Sequence, residues 1–179
     1  MKLTINVSSV AQASGGELLI RNTAKAIIEN DNKLLVIKKK LDNVGIYYTL
    51  PGGGQESGET IDDTILRECT EELNIYTVIK ELVCVREYIS NNHEYSFLIK
   101  QVHAIEFIFN CSFSTEDKIT HLQIDVAQIG FEWLDISTVI ETLQHSEAKN
   151  DLKFPQTLRD FLIEYYITHS VKPYSKFIF

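Results

Sequence analysis

At 179 residues, 44% of them hydrophobic, the chain has the length of one domain and can bury a core without disulfides or a structural metal. Its formal net charge of −8 and pI of about 5.1 argue against a nucleic-acid binder, which needs a basic face for the phosphates. Its three cysteines, Cys69, Cys84 and Cys111, have neither CxxC spacing nor an even count, which excludes a disulfide framework or a zinc site and suits a reducing cytosol.

Met1–Gly16 carries one lysine and no apolar run of signal-peptide length; it reads as an N-terminal arm or strand. No segment approaches the roughly 20 apolar residues that cross a bilayer, so a cytoplasmic protein is expected. Leu18–Glu29 reads as a strand, Asp31-Asn32 as a turn and Lys33–Lys39 as a second strand, together a hairpin. Tyr47–Leu50 is a short strand running into Pro51-Gly52-Gly53-Gly54. Thr60–Leu73 is predicted helical, with Thr60 as N-cap, Asp62 and Asp63 in the first turn and Asn74 as a left-handed residue past its end. Val78–Ile89 and Val102–Phe113 are β-branched and aromatic, hence strands, with Ser90–Gln101 a loop between them. Thr115–Gln128 is polar and is assigned no element. Phe131–Leu134 is a last short strand, and Ile136–Leu143 and Gln156–Thr168 are helices, the second begun by Phe154-Pro155. Without βαβ regularity the class is α+β, a mixed sheet sandwiched by helices, in a single domain over residues 1–179 whose C-terminal helix lies in 154–168.

The chemistry concentrates in Gly52–Glu59 and Arg67–Leu73. Glu68, Glu71 and Glu72 follow i, i+3, i+4 spacing and share one helical face, where three carboxylates repel one another unless a cation sits among them. With Ile61 at 0° on the helical wheel, Glu72 falls at about 20°, inside the apolar stripe of Ile61, Ile65 and Cys69. A solvated acidic face accounts for Glu71 but not for Glu72, because a buried unpaired carboxylate is costly. A divalent cation relieves that cost, and Mg²⁺ prefers oxygen ligands. The Gly-rich loop is not a P-loop: Glu59 stands where the phosphate-binding lysine is required.

As a whole, Gly53–Ile75 resembles the Nudix box of the Nudix hydrolase superfamily (MutT-like), G-x5-E-x7-R-E-U-x-E-E-x-G-U, where U is a bulky aliphatic residue. Gly53, Glu59, Arg67-Glu68 and Glu71-Glu72 occupy its glycine and charged positions. Cys69 replaces one aliphatic residue, and Asn74 replaces the last glycine; asparagine also tolerates a left-handed backbone. The order of the surrounding strands and the closing Phe131-Glu132-Trp133-Leu134 segment resemble the family too.

The resemblance implies a Nudix-type α/β/α sandwich and metal-dependent hydrolysis of a diphosphate in a nucleoside diphosphate-X molecule. It implies that Glu68, Glu71 and Glu72, with the Gly52 carbonyl, hold Mg²⁺ or Mn²⁺. It pairs Glu59 with Arg67, so that the catalytic set is Glu71, Glu68, Arg67 and Glu59. The general base is left between Glu71 and a carboxylate of a later loop: Glu116, Asp117 or Asp125. Arg21 and Arg86 are candidates for substrate phosphate. Glu106, which interrupts the apolar run Val102–Phe109, is a candidate for contact with substrate or metal water, or else an edge-strand charge. The expected partner is a nucleotide-like small molecule, with no membrane and no nucleic acid; a homodimer stays open. The alternative is a catalytically weak Nudix-like domain that binds a nucleotide and regulates something else; degenerate glutamates would favour it, and here the set is intact. No subgroup marker singles out a substrate in Ser90–His93.

Overall fold

The computed structural model describes residues 20–42, 44–89, 103–114, 127–145 and 153–177. The expected N-terminal arm, the Ser90–Gln101 loop, and Glu116, Asp117 and Asp125 lie outside the described residues. In chain order the elements are β1 (Ile20–Asn30), β2 (Lys33–Leu41), β3 (Gly45–Thr49), α1 (Ile61–Leu73), β4 (Thr77–Ile89), β5 (His103–Phe113), β6 (Gln128–Asp135), α2 (Ile136–Gln144), α3 (Gln156–Ile163) and β7 (Tyr174–Phe177). A π-helical turn, Glu164–Thr168, continues α3.

The β1–β2 hairpin closes through Asp31 and Asn32, both left-handed at φ 49° and 59°, the twist a two-residue hairpin requires. Among the described residues the strands form a mixed sheet ordered β3-β2-β1-β5-β4-β7, with β6 on the other edge of β2. β1 and β5 run parallel, and β4 and β5 antiparallel. Only Glu29 and Asn30 of β1 pair with β2; farther along, β2 turns to β3 instead. The edge of β1 that this split leaves open must satisfy its backbone groups elsewhere. The Gly-rich loop does so. Ala24 N–H donates to the Gly53 carbonyl (3.0 Å), Ala26 N–H to Pro51 (3.0 Å), and Gln55 N–H to the Asn22 carbonyl (3.0 Å).

Alternation along the strands sends side chains to two cores. Ala24, Ala26, Ile28, Leu35 and Ile37 meet Ile65, Cys69 and Leu73 of α1 on one face. Ile27, Leu34, Val36, Cys84 and Ile108 meet Val139, Leu143, Leu158 and Phe161 of α2 and α3 on the other. The layers are therefore helix, sheet, helix, as expected. All three cysteines are free and buried. Among the described residues no helix is long and apolar enough to cross a membrane.

Three details depart from the sequence expectation. The last helix does not stay α to Thr168: it widens into the π turn, where Tyr165 stacks on Phe161 (5.8 Å between ring centroids) while the adjacent Tyr166 donates to Glu29 (2.6 Å). β7 went unpredicted; four residues paired in parallel with a distant strand leave no local periodicity to read. The edge-strand reading of Glu106 is corrected, because β5 lies between β1 and β4.

Candidate functional site

α1 is held at both ends by local chemistry. Thr60 accepts from Asp63 N–H (3.1 Å), and Asp63 accepts from Thr60 N–H (3.0 Å), a reciprocal capping box. Asn74 closes the helix at φ 55°, donating its N–H to the Thr70 carbonyl (2.9 Å). The packing of Ile65, Cys69 and Leu73 on Ala24 and Ala26 then fixes the helix rotation and turns its carboxylates toward the loop.

Arg67 ties the two together. Its Nε donates to Glu59 Oε1 (2.6 Å), and its Nη2 to Glu59 Oε2 (3.1 Å) and the Gly54 carbonyl (2.9 Å). Its Nη1 donates to Glu68 Oε1 and Glu71 Oε2, both at 3.0 Å. The forked guanidinium suits this task, since a lysine ammonium could not make the planar two-point contact. Glu59 also accepts from Glu56 N–H (2.9 Å) and the Thr64 hydroxyl (3.1 Å). Arg67 first, then the Glu56 amide, holds the Glu59 carboxyl down at about 2.

Glu72 is buried at 6% exposure, as the helical wheel required. Its Oε2 accepts from Gly52 N–H (2.8 Å). Burial pushes its pKa up, and the charge of Lys25 and the Gly52 amide pull against that. Glu68 lies against Gly53: a Cβ there would stand 2.7 Å from the Glu68 carboxyl carbon, so the loop comes this close only as glycine. Gly52 is the stricter position: at φ +120° it could carry no side chain, because its Cβ would drive into the Ala24 carbonyl.

Arg21, Thr23 and Lys25 alternate onto the β1 face opposite α1. Arg21 is exposed, and its guanidinium lies across Gly54. Thr23, Glu106 and Arg86 are neighbours in register across β1, β5 and β4. Arg86 donates to Glu106 in a buried ion pair, and the guanidinium lies over the Phe161 ring (5.7 Å to the centroid). Sequence reading named these two residues separately; the fold makes them partners.

Two residues near the site were missed. Lys25 is largely buried, and its Nζ donates to the Gly52 carbonyl. Burial lowers its pKa, and Glu72 is the first charge to oppose this. The signal was present: a lysine inside the apolar run Ala24–Ile28, the same anomaly that drew attention to Glu106. Gln128, wholly buried, donates Nε2 to the Glu72 carbonyl (3.3 Å) while its Oε1 has no partner among the described residues. Its place at the end of a polar stretch gave no warning.

Among the described residues no three Asp, Glu, His or Cys side chains converge into a ready-made metal cage. Arg67 bridges Glu68 and Glu71, and Lys25 meets the Gly52 carbonyl. The donors nevertheless suit a hard divalent cation: they are all oxygen, and Glu72 keeps one oxygen off the Gly52 amide within a site that resists its charge.

The NUDIX domain family model matches residues 19–157. The chain is a member of the Nudix family. It is 42% identical over 59 residues to an ADP-ribose pyrophosphatase of Methanocaldococcus jannaschii, an alignment spanning 33% of this chain and 35% of that protein. It is 28% identical over 102 residues to the nucleoside triphosphatase NudI of Salmonella heidelberg, spanning 51% of this chain and 67% of that one. The crystal structure of a MutT protein from Methanosarcina mazei Go1 shares the fold at a TM-score of 0.63 and 18% identity, covering 87% of this chain and 99% of that one. This Nudix chain thus spans about a third of the first of these curated relatives.

Proposed function

We propose that this Nudix protein hydrolyses a phosphoanhydride in a nucleoside diphosphate linked to a second moiety, using Mg²⁺ or Mn²⁺. The observation that carries the reading is the buried Glu72, one helical turn from Glu68, facing a glycine loop seated in the sheet edge. The names of the two curated relatives, one acting on ADP-ribose and one on nucleoside triphosphates, support a diphosphate linkage without choosing the substrate.

Glu68, Glu72 and Glu71, with the Gly52 carbonyl, would hold the cation. A bound divalent ion supplies charge neutralisation of the diphosphate and a nucleophilic water at neutral pH. The chain does the positioning. Glu59, held by Arg67, Glu56 and Thr64, keeps the loop on the first half of α1. Arg67 sets the side chains of Glu68 and Glu71. Glu71, the most exposed of these acids at 39%, is the candidate among the described residues for taking a proton from the attacking water. Arg21, at the loop mouth, is the candidate for a phosphate oxygen, and the Arg86–Glu106 pair backs the same face of the sheet. The three buried thiols fit a reducing cytosol.

The test is turnover in ¹⁸O-labelled water against a nucleotide panel. Label on a phosphate oxygen of one product is expected, together with loss of turnover after exhaustive EDTA treatment and in Glu72→Gln. Label only on a sugar hydroxyl, or turnover undiminished by EDTA, would overturn the assignment.

A further inference from the structure

Gly52 is gripped from two sides. Its N–H is taken by Glu72 of α1 and its carbonyl by Lys25 of β1. The loop therefore meets an acid and a base through a single residue, and that residue can only be glycine. Lys25 is not a surface cation that happens to reach inward. It is largely buried on a strand flanked by Ala24 and Ala26, and the charges it meets are Glu72 first, then Lys39, Glu106 and Glu68. Two of those three acids are the ones assigned above to hold the metal.

A carboxylate as buried as Glu72 needs a positive charge nearby. Lys25 supplies one from within the chain. A divalent ion held by Glu68, Glu72 and the Gly52 carbonyl would need the same oxygen and the same negative charge. An ammonium and a divalent ion on one carbonyl repel, and removing water strengthens that repulsion. Both cannot keep it.

We infer that Lys25 is a built-in counter-cation that competes with the divalent ion for the Gly52 carbonyl and so sets the metal concentration at which the site loads. The inference rests on the metal assignment made under the proposed function. Binding requires the ammonium to leave the Gly52 carbonyl it now holds. Lys25 is thus a positioning residue for the metal, acting through Gly52 and Glu72. It lowers affinity, and in exchange it keeps a buried acid compensated.

The experiment is Mn²⁺ binding, read by the free-ion electron paramagnetic resonance signal and by calorimetry, at fixed pH and ionic strength. Four full-length variants are compared with the parent: Lys25→Met, Lys25→Gln, Lys39→Met and Glu72→Gln. Lys25→Met removes both charge and contact; Lys25→Gln removes the charge but keeps a donor for the carbonyl and serves if the methionine variant does not fold. Either Lys25 variant should bind Mn²⁺ about tenfold more tightly than the parent. Lys39→Met, which removes an equal charge close by, should change affinity less than threefold. Unchanged or weaker binding in the Lys25 variants overturns the inference, and so does equal tightening in Lys39→Met, which would mean general electrostatics rather than competition. Glu72→Gln separates the two levels. If it weakens binding while the Lys25 variants do nothing, only the role of Lys25 is wrong; if it leaves binding unchanged, the metal assignment itself fails.

Discussion

Gly53→Ala tests the geometry of the loop against that of the helix. The new Cβ would stand 2.7 Å from the Glu68 carboxyl carbon and 2.8 Å from its Oε2, well inside van der Waals contact. The φ at this position is not in the left-handed region, so alanine strains no backbone there. The atoms in the way are the far end of a flexible side chain, which can retreat by about 1 Å at little cost in stability. Loss of glycine freedom in the unfolded chain is worth roughly 0.4–1 kcal/mol in the opposite direction. Folding should therefore survive, with a melting temperature within a few degrees of the parent. Catalysis should not. A displacement of about 1 Å at a metal-ligating or positioning group costs on the order of a hundredfold in rate, about 2.7 kcal/mol in the barrier. The assays are thermal unfolding and kcat/KM on whichever nucleotide the panel identifies. Gly52→Ala is the contrast: its Cβ meets backbone at Ala24 from a φ of +120°, so that variant should unfold or lose most of its stability. Turnover in Gly53→Ala within threefold of the parent would refute the claim that Glu68 must occupy its observed place.

Glu59 titrates at about 2 because Arg67 and the Glu56 amide favour its ionised form. A depressed folded pKa stabilises above the unfolded value, and that contribution is lost as pH falls through the folded one. The melting-temperature gap between the parent and Glu59→Gln should thus be full near neutral pH and shrink between pH 4.5 and about 2, and a gap independent of pH would contradict the ion pair. Glu106→Ala leaves the Arg86 guanidinium buried without its carboxylate and should cost about 3–5 kcal/mol by urea unfolding, much of it recovered in the double variant Arg86→Met/Glu106→Leu. Ile65→Ala opens a cavity between α1 and the sheet, where Ile65 is fully buried, and should cost about 2–5 kcal/mol by the same measurement.

What was legible beforehand is what depends on near neighbours in the chain. The Asp31-Asn32 turn, the Thr60–Asp63 capping box and the left-handed Asn74 each need only a few consecutive residues, and each stands as the sequence predicts. The burial of Glu72 followed from helical periodicity alone, since one turn from Cys69 and two from Ile65 it had no other face to occupy. The Glu59–Arg67 pair came from the resemblance of the whole segment to a family motif, and the geometry has it at 2.6 Å.

Long-range placement was not legible, because nothing in a local window states which strand will lie beside which. That β1 parts from β2 after two residue pairs, leaving its edge to the glycine loop, is a property of the sheet. That Arg86 neutralises Glu106 follows from the β4–β5 register, 20 residues apart in the chain. The seat of Lys25 on Gly52, 27 residues away, follows from the same split sheet. The amino-acid sequence by itself determined the helix, its caps, its turned-in acid and the charges available to the site, because short-range sterics and periodicity decide those. Only the tertiary structure decided which charge meets which, because a buried charge takes as partner whatever group the sheet brings within reach.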